Sequence, residues 1–522
     1  MIKKLALLAS VVALGVILFG CGDDAEEGIP QGEEEDPFSF VVTADMRQYT
    51  GPGLYNFPRY FRGVCEAIAG LGENSFMISP GDIDPPDDVK WTIEQYIGPD
   101  YIWYPVVGNH ETETPSDMDW LRTYNANGDA LPYIVNIGPP GCEETTFSFD
   151  YKNAHFAVIN QYFDGTIDTG TNGDVVDALY TWLADDLSAS DKEYVFVIGH
   201  EPAFPQPDAD NGRARHIGDS LDQHTTNRDR FWDLLKDEEV VAYICGHTHD
   251  YSAVKIDGVW QLDVGHCRGA GDKGAPSMFA VISVDEDGVS FTAYRDNHDY
   301  PYDYDDIIHN VALASSSYRV DTFAFQDGLF PDPGYAGTRD TTIKSDDPDT
   351  NFGLSTQLEV DGQPQYAAIL EWDISAIPVG STVTYASITI TITNNSGGSS
   401  YEFYEMKREW VEDEADWNNY SSGNNWQAAG ADGADDRGQT AIGKAATDDE
   451  GRFIYNLNTV GIALVQSWVD DPSVNQGIIV LDYGNTNGLD FDSKEAGITG
   501  NRPKLTVEVR DESHDAVELS HF

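Results

Sequence analysis

Five short apolar runs, at residues 38–44, 76–79, 101–107, 194–198 and 240–244, each give way within one or two positions to a polar group at which the chain turns. Runs this short, rich in Val, Ile, Phe and Tyr, read as strands buried on both faces, which have no polar side to present. Helical periodicity over residues 60–71 and 176–187 lies between them. Such alternation builds an α/β sheet with its functional loops at the strand C-termini. Two hairpins, over residues 146–161 and 279–294, add antiparallel strands, the second turning at Asp285-Glu286-Asp287-Gly288.

The groups at the five strand ends are Asp45; Gly81-Asp82; Gly108-Asn109-His110-Glu111; Gly199-His200; and Gly246-His247-Thr248-His249. Together they read as a metal site. Carboxylate, imidazole and amide-oxygen ligands suit Mn²⁺, Fe²⁺ or Zn²⁺, and an Asp able to bridge two ions is what a two-metal centre requires. The glycines suit positions where the chain leaves a strand sharply, by positive φ or by close backbone packing.

This ordered set, spanning roughly residues 38–300, resembles the calcineurin-like metallophosphoesterases. The strings Phe147-Ser148-Phe149-Asp150-Tyr151, His155-Phe156-Ala157-Val158-Ile159 and Trp182-Leu183 are similar to the family's spacer segments. The resemblance implies a four-layer α/β sandwich, with βαβ units around two mixed sheets, that hydrolyses phosphoric ester bonds with two divalent metal ions, Mn, Fe or Zn. It implies that Asp82 bridges both ions, that Asp45 and His249 hold the first, and that Asn109, His200 and His247 hold the second. His110 would stand beside them as a catalytic residue, donating to a phosphate oxygen or to the leaving group, while a metal-bridging hydroxide attacks phosphorus.

One position departs from the family. The usual Asp-X-His is here Asp45-Met46-Arg47, and a guanidinium has no lone pair to give a metal. Three readings follow: the first ion is weakly held with an extra water, Arg47 grips the substrate phosphate and so joins the catalytic residues, or the centre is mononuclear and weak. Arg47 also reads as a salt-bridge partner of a local Asp. Other polar residues read more plainly. His216 and His224, in the polar stretch 213–230, are expected on a solvated loop, His266, beside Cys267, as an outer neighbour of the site at most, and Asp84 and Asp87 as solvated or outer carboxylates.

Past residue 310 helical periodicity nearly vanishes and alternating strands take over, as in 367–372, 383–393, 477–483 and 504–509. An all-β sandwich is expected. Gly337-Thr338-Arg339-Asp340-Thr341-Thr342-Ile343, Thr350-Asn351-Phe352-Gly353, the segment from Trp410 to Asn418 and Asn501-Arg502-Pro503-Lys504 resemble the DNRLRE-type, carbohydrate-binding-module-like domains of secreted bacterial enzymes. That resemblance implies a cell-surface or extracellular polysaccharide as partner. Trp410, Trp417 and Trp426 read either as sugar-stacking platforms or, preferably, as core.

The N-terminus opens with Lys3 and Lys4, continues through an apolar run and ends at Leu18-Phe19-Gly20-Cys21, the plan of a secretory signal too short to span a membrane. Its end resembles the bacterial lipobox, which implies lipidation of Cys21, with a membrane-anchored protein on the periplasmic or extracellular face, or otherwise a secreted one. Residues 22–37 carry eight acidic groups among sixteen and read as a tether. Cys65, Cys142, Cys245 and Cys267 remain, enough for two disulfides in an oxidising compartment. The whole chain bears 30 Lys and Arg against 90 Asp and Glu, a formal charge of −60 that repels polyphosphates and excludes nucleic acid as a partner.

The expected organisation is a signal at 1–20, a tether at 21–37, the phosphoesterase at 38–310, a linker at 311–324, the β-sandwich at 325–510 and a tail at 511–522. The expected function is an exported metal-dependent phosphoesterase, monoesters slightly favoured, targeted by its β-sandwich. The alternative is a catalytically weak lipoprotein whose β-sandwich supplies the function by binding polysaccharide.

Overall fold

The computed structural model describes residues 37–46, 61–72, 74–268, 275–296, 307–316 and 318–510. The signal, Cys21, nearly all of the tether, Arg47 and the tail lie outside the described residues.

Strand Phe38–Val42 sends Phe40 and Val42 to one side and Val41 to the other, and all three are fully buried. It pairs in parallel with Met77–Ser79, which pairs in parallel with Trp103–Pro105. On its other edge the antiparallel strands Met278–Asp285, Gly288–Arg295 and Ile307–Ser315 complete a six-stranded mixed sheet. A second mixed sheet of seven strands has a parallel centre made of Ala154–Val158, Tyr194–Ile198, Ala242–Cys245 and Val259–Val264.

The period-two alternation of these strands dictates the layering. Phe40, Phe76, Ile78, Phe156, Phe196 and Ile244 meet in the core between the two sheets. Val41, Met77 and Trp103 face outward onto helices Phe61–Leu71, Pro86–Tyr96 and Pro115–Tyr124. On the far side Ala157, Val195 and Val197 face helices Asp177–Ala189 and Thr225–Asp237. The first domain is thus a four-layer α/β sandwich, as expected. Each fully buried Phe contributes on the order of 2–3 kcal/mol through area removed from water.

The second domain is an eleven-stranded curled β-sheet. Its two halves are joined through the hairpin of Gln357–Gly362 and Gln365–Trp372 and close over Trp372, Ile388, Phe453 and Leu505. Trp410, Trp417 and Trp426 are all buried, and the indoles of Trp410 and Trp426 donate to the carbonyls of Gln476 and Asp416. They are core residues. One helix, Thr459–Asp470, interrupts the strands, a correction to the expectation of vanishing helicity. Asn458 caps it by accepting from the Val460 and Gly461 amides, and Val465, Trp468 and Val469 dock it on the sheet.

The linker expected over 311–324 also needs correcting. Ile307–Ser315 is the last strand of the first sheet, and Val320–Phe325 pairs with Lys504–Arg510. The serines at 315–316 end one strand immediately before the next begins. The domains abut through Lys255 and Glu508 (2.7 Å), through Asn456 Nδ2 donating to the Ala253 carbonyl, and through the rings of Trp260 and Tyr385. The four cysteines expected to allow disulfides are unpaired and buried.

His155 ties the second sheet to helix Asp177–Ala189, with Nδ1 2.7 Å from Asp150 and Nε2 3.0 Å from Asp186. Burial pulls the imidazolium down, but the two carboxylates outweigh it and hold the group above its ordinary value of 6.5. A raised folded-state pKa contributes stability that is present in full below pH ~6.5 and is lost as pH rises through the folded value. Replacing His155 by Gln is expected to cost about 3 kcal/mol near pH 6 and less near pH 9. Urea unfolding at both pH values checks this, and an equal loss at each would show that the imidazole is neutral in the folded protein.

Candidate metal centre and phosphoesterase site

The parallel strands of both sheets end at one edge of the sandwich, so the loops that follow them converge. Four non-glycine residues there take left-handed backbone: Asp45 (φ 51°), Asp82 (54°), His247 (73°) and His249 (62°). Such conformations cost of order 1 kcal/mol or more each and cluster where a structure is built around a ligand. Gly81 (φ 84°) and Gly108 lie where a Cβ would come within 2.4 Å of His200 Nδ1 and of Asp82 Oδ1 respectively. Only glycine lets these loops meet.

The buried Glu111 carboxylate holds the second and third motifs together. Its oxygens accept from the amides of Asp82 (3.0 Å), Ile83 (2.7 Å) and Gly108 (2.7 Å). Burial pushes this carboxyl well above its ordinary range, and Asp82 and Asp84 push it further. Gln161 does the same for the fourth motif, its Oε1 accepting from the amides of His200 and Glu201.

His200 shows what the centre is shaped to hold. Its Nδ1 lies 2.7 Å from the Pro80 carbonyl, which can only accept, so Nδ1 carries a proton and Nε2 is the ring atom turned toward the centre. Around Nε2 stand Asn109 Oδ1 at 3.2 Å, His247 Nδ1 at 3.2 Å and Asp82 Oδ1 at 3.5 Å. Carboxylate and amide oxygens converging with imidazole nitrogens in one buried site are a donor set that suits a divalent cation. Asp45, Asp82 and His200 each place a ligand atom within 4.8 Å of the other two.

Asp45 accepts the His247 amide on Oδ2 (2.9 Å), while its Oδ1 lies 3.4 Å from His249 Nε2. Asp45 Oδ1 and His247 Nε2 are buried without a hydrogen-bond partner among the described residues. Burial alone would raise Asp45, yet the His249 and His200 imidazoles and the His247 amide hold it below its ordinary value. His247 is pushed well below its own, by burial first and then by His200, His216, His249 and Arg215. An ionised Asp45 and a neutral His247 are the protonation states in which each can ligate a divalent cation. His110 sits at the more open side, Nε2 3.6 Å from Asp82 Oδ2 and Nδ1 2.9 Å from Glu113. All of the proposed ligands and His110 are therefore in one place.

The family model for calcineurin-like phosphoesterases matches residues 38–251. The first domain is a calcineurin-like phosphoesterase domain. The model for carbohydrate-binding module family 96 matches residues 334–432, in the second. Among solved structures the chain is similar to GAP50, the anchor in the inner membrane complex of Plasmodium, at 15% identity over 53% of this chain and 90% of that one (TM-score 0.34). It is also similar to PhoD, at 12% identity over 54% and 69% (TM-score 0.34), and to Chaetomium thermophilum Vps29, at 10% identity over 53% and 97% (TM-score 0.26). No curated protein matches the chain.

The phosphoesterase site holds residues that sequence reasoning placed elsewhere or passed over. His216, expected on a solvated loop, lies with its ring centroid 4.1 Å from that of His247. Arg215 brings Nη1 to 2.6 Å from His249 Nδ1 and Nη2 to 3.1 Å from His216 Nε2. A signal was available, since Arg213, Arg215 and His216 form a basic cluster in a chain with threefold more acidic than basic residues. His224 ends the short helical turn Leu221–His224, and His266 is buried behind the centre, 5.9 Å from His249 by ring centroids. Asp87 lies in the first turn of helix Pro86–Tyr96.

The Glu111 cradle has a measurable consequence. Glu111→Gln replaces one acceptor oxygen with an NH₂ that faces amide donors, so Asp82 loses its support. Mn²⁺ affinity by titration calorimetry is expected to fall about 10- to 100-fold, the usual effect of removing an outer support of a metal ligand. Unchanged affinity would show that the cradle is not what positions Asp82.

Proposed function

We propose that this metallophosphoesterase hydrolyses phosphate monoesters outside the cytoplasm, anchored by lipid on Cys21 and held near a polysaccharide by its second domain. The observation that carries the catalytic reading is the convergence of Asn109, His247 and Asp82 on His200 Nε2. Asp82 is the bridging ligand in this reading, with Asp45 and His249 on one ion and Asn109, His200 and His247 on the other. Bound divalent ions supply Lewis acidity, acidifying a water to act as nucleophile and neutralising phosphoryl charge.

The residues themselves orient and protonate. Glu113 and Asp82 fix the His110 ring from two sides, which leaves its Nε2 edge directed at the metal side of the site. From there His110 donates to a phosphoryl or leaving-group oxygen. Arg215 adds a guanidinium on the opposite flank, and a dianionic monoester matches that added positive charge better than a monoanionic diester does. The buried ligand set also explains how a chain of formal charge −60 accepts an anion, since the local field is set by the cations. Export is supported by the charged, apolar and cysteine-ended opening of the sequence. No helix among the described residues is long and apolar enough to cross a membrane.

The Mn²⁺-loaded protein is expected to cleave p-nitrophenyl phosphate faster than bis-p-nitrophenyl phosphate. Asp82→Asn should lose turnover, and His110→Ala should lower kcat by roughly 10²- to 10⁴-fold. Elemental analysis should find two ions per chain, whereas one would identify the Asp45-Met46-Arg47 departure with a mononuclear centre. Failure to cleave either ester with any metal would overturn the hydrolytic assignment.

A further inference from the structure

The loop that carries Arg215 and His216 to the metal centre is not held by the phosphoesterase domain alone. At its start Asp208 is clamped from within that domain: both of its oxygens meet the fully buried Arg295, and Oδ2 also accepts the Tyr251 amide. Beyond Asp210 further anchors come from the second domain. Lys444 Nζ donates to the Asp210 carbonyl (2.9 Å), Asp448 N donates to the Gly212 carbonyl (2.8 Å), and Asp448 Oδ1 accepts the Ala214 amide (2.6 Å). Gly212 takes φ 71°, and a Cβ there would come within 2.7 Å of Ala446, so the two domains touch backbone to backbone. Ile217, just past the two basic residues, packs against the core of the second domain. The residue after Ala214 is Arg215, 2.6 Å from His249.

We propose that the β-sandwich is part of the catalytic unit, with Asp448 as a positioning residue that, by holding Gly212 and Ala214, sets Arg215, braced by His216 Nε2, over the metal-ligating histidines as the phosphate-binding flank of the site. The proposal rests on the phosphoesterase reading above and adds to it a role for the second domain that does not depend on polysaccharide. Arg215 contacts the substrate phosphate; Asp448 acts only through it. The chemistry at Asp82 and His110 is left unchanged by loss of Asp448, so the effect falls on substrate binding.

The test uses the full-length protein. Asp448→Ala is expected to raise KM for p-nitrophenyl phosphate about tenfold, the equivalent of one charge-assisted hydrogen bond, with kcat and the number of bound ions little changed. Asp448→Asn keeps an acceptor oxygen for the Ala214 amide and should retain a near-normal KM. Amide exchange over residues 211–217 should quicken in Asp448→Ala and not in Asp448→Asn. In an Arg215→Ala background Asp448→Ala should add almost nothing, because the residue it positions is gone. Lys444→Met, which removes a neighbouring anchor, provides a second variant should Asp448→Ala fold poorly, with the same rise in KM and exchange expected. Unchanged KM and unchanged exchange in these variants would overturn the proposal, as would full additivity with Arg215→Ala. A wild type that cleaves no ester would instead overturn the functional reading, and the exchange measurements would still decide whether the second domain orders this loop.

Discussion

The site depends on the aromatic contact between the two sheets of the first domain. Phe40 meets Phe156 and Phe196 with ring centroids 5.1 and 5.5 Å apart, Phe76 meets Phe149 and Phe156 at 5.6 and 5.4 Å, and Tyr104 stacks on Phe149 at 3.8 Å. Rings of this size interdigitate in few ways, so they set both the spacing and the relative slide of the sheets. Loops leaving the same edge of each sheet are thereby brought to one point. Asp45, Asp82 and Asn109 come from one sheet, His200, His247 and His249 from the other, and no single sheet could assemble them.

At that point the protein holds a set of arrangements that each carry a free-energy cost. Four residues take left-handed backbone, two carboxylates and three imidazoles among the expected ligands are buried, and oxygen and nitrogen atoms crowd around His200 Nε2. Glu111 and Gln161 keep these groups from relaxing by satisfying the surrounding backbone amides. The large inter-sheet core offsets the strain. A cation relieves most of it at once, which is the sense in which the folded chain is preorganised for metal.

The second domain is joined to the first by an ion pair between Lys255 and Glu508 and by hydrogen bonds from its Asp448 loop and Asn456, and lacks the loose attachment of a tethered module. Its match to a carbohydrate-binding module family and its contact with the loop of Arg215 are separate properties of one domain. Its central tryptophans are spent on its core, so any sugar-binding surface has to be built from other residues.

Strand and helix positions of the first domain were legible because buried parallel strands are apolar throughout and short, and because Gly-Asp, Gly-Asn-His-Glu and Gly-His-Thr-His carry their chemistry in adjacent residues. The residues expected as ligands stand at those strand ends for the same reason, and the fold gathers them at one edge of the sandwich. The helix Thr459–Asp470 was less legible, since its apolar residues Ile462, Leu464 and Val465 also suit a strand and only Asn458 marks its start. The strand over 307–315 was hidden by the serines that end it. The basic cluster of Arg215 and His216 is visible in the sequence, but its place beside His247 and His249 is not, and Asp448 carries no local signal. Their role comes from contacts across 34 residues to His249 and across 234 residues between Ala214 and Asp448, and no local pattern encodes which distant strand end a loop will meet. By itself the sequence determined the kinds of groups at the strand ends and the layers that present them, because both follow from local periodicity. Only the tertiary structure decided which further side chains flank the metal-binding groups and which domain holds them there, because that is set by how two separately formed cores pack against each other.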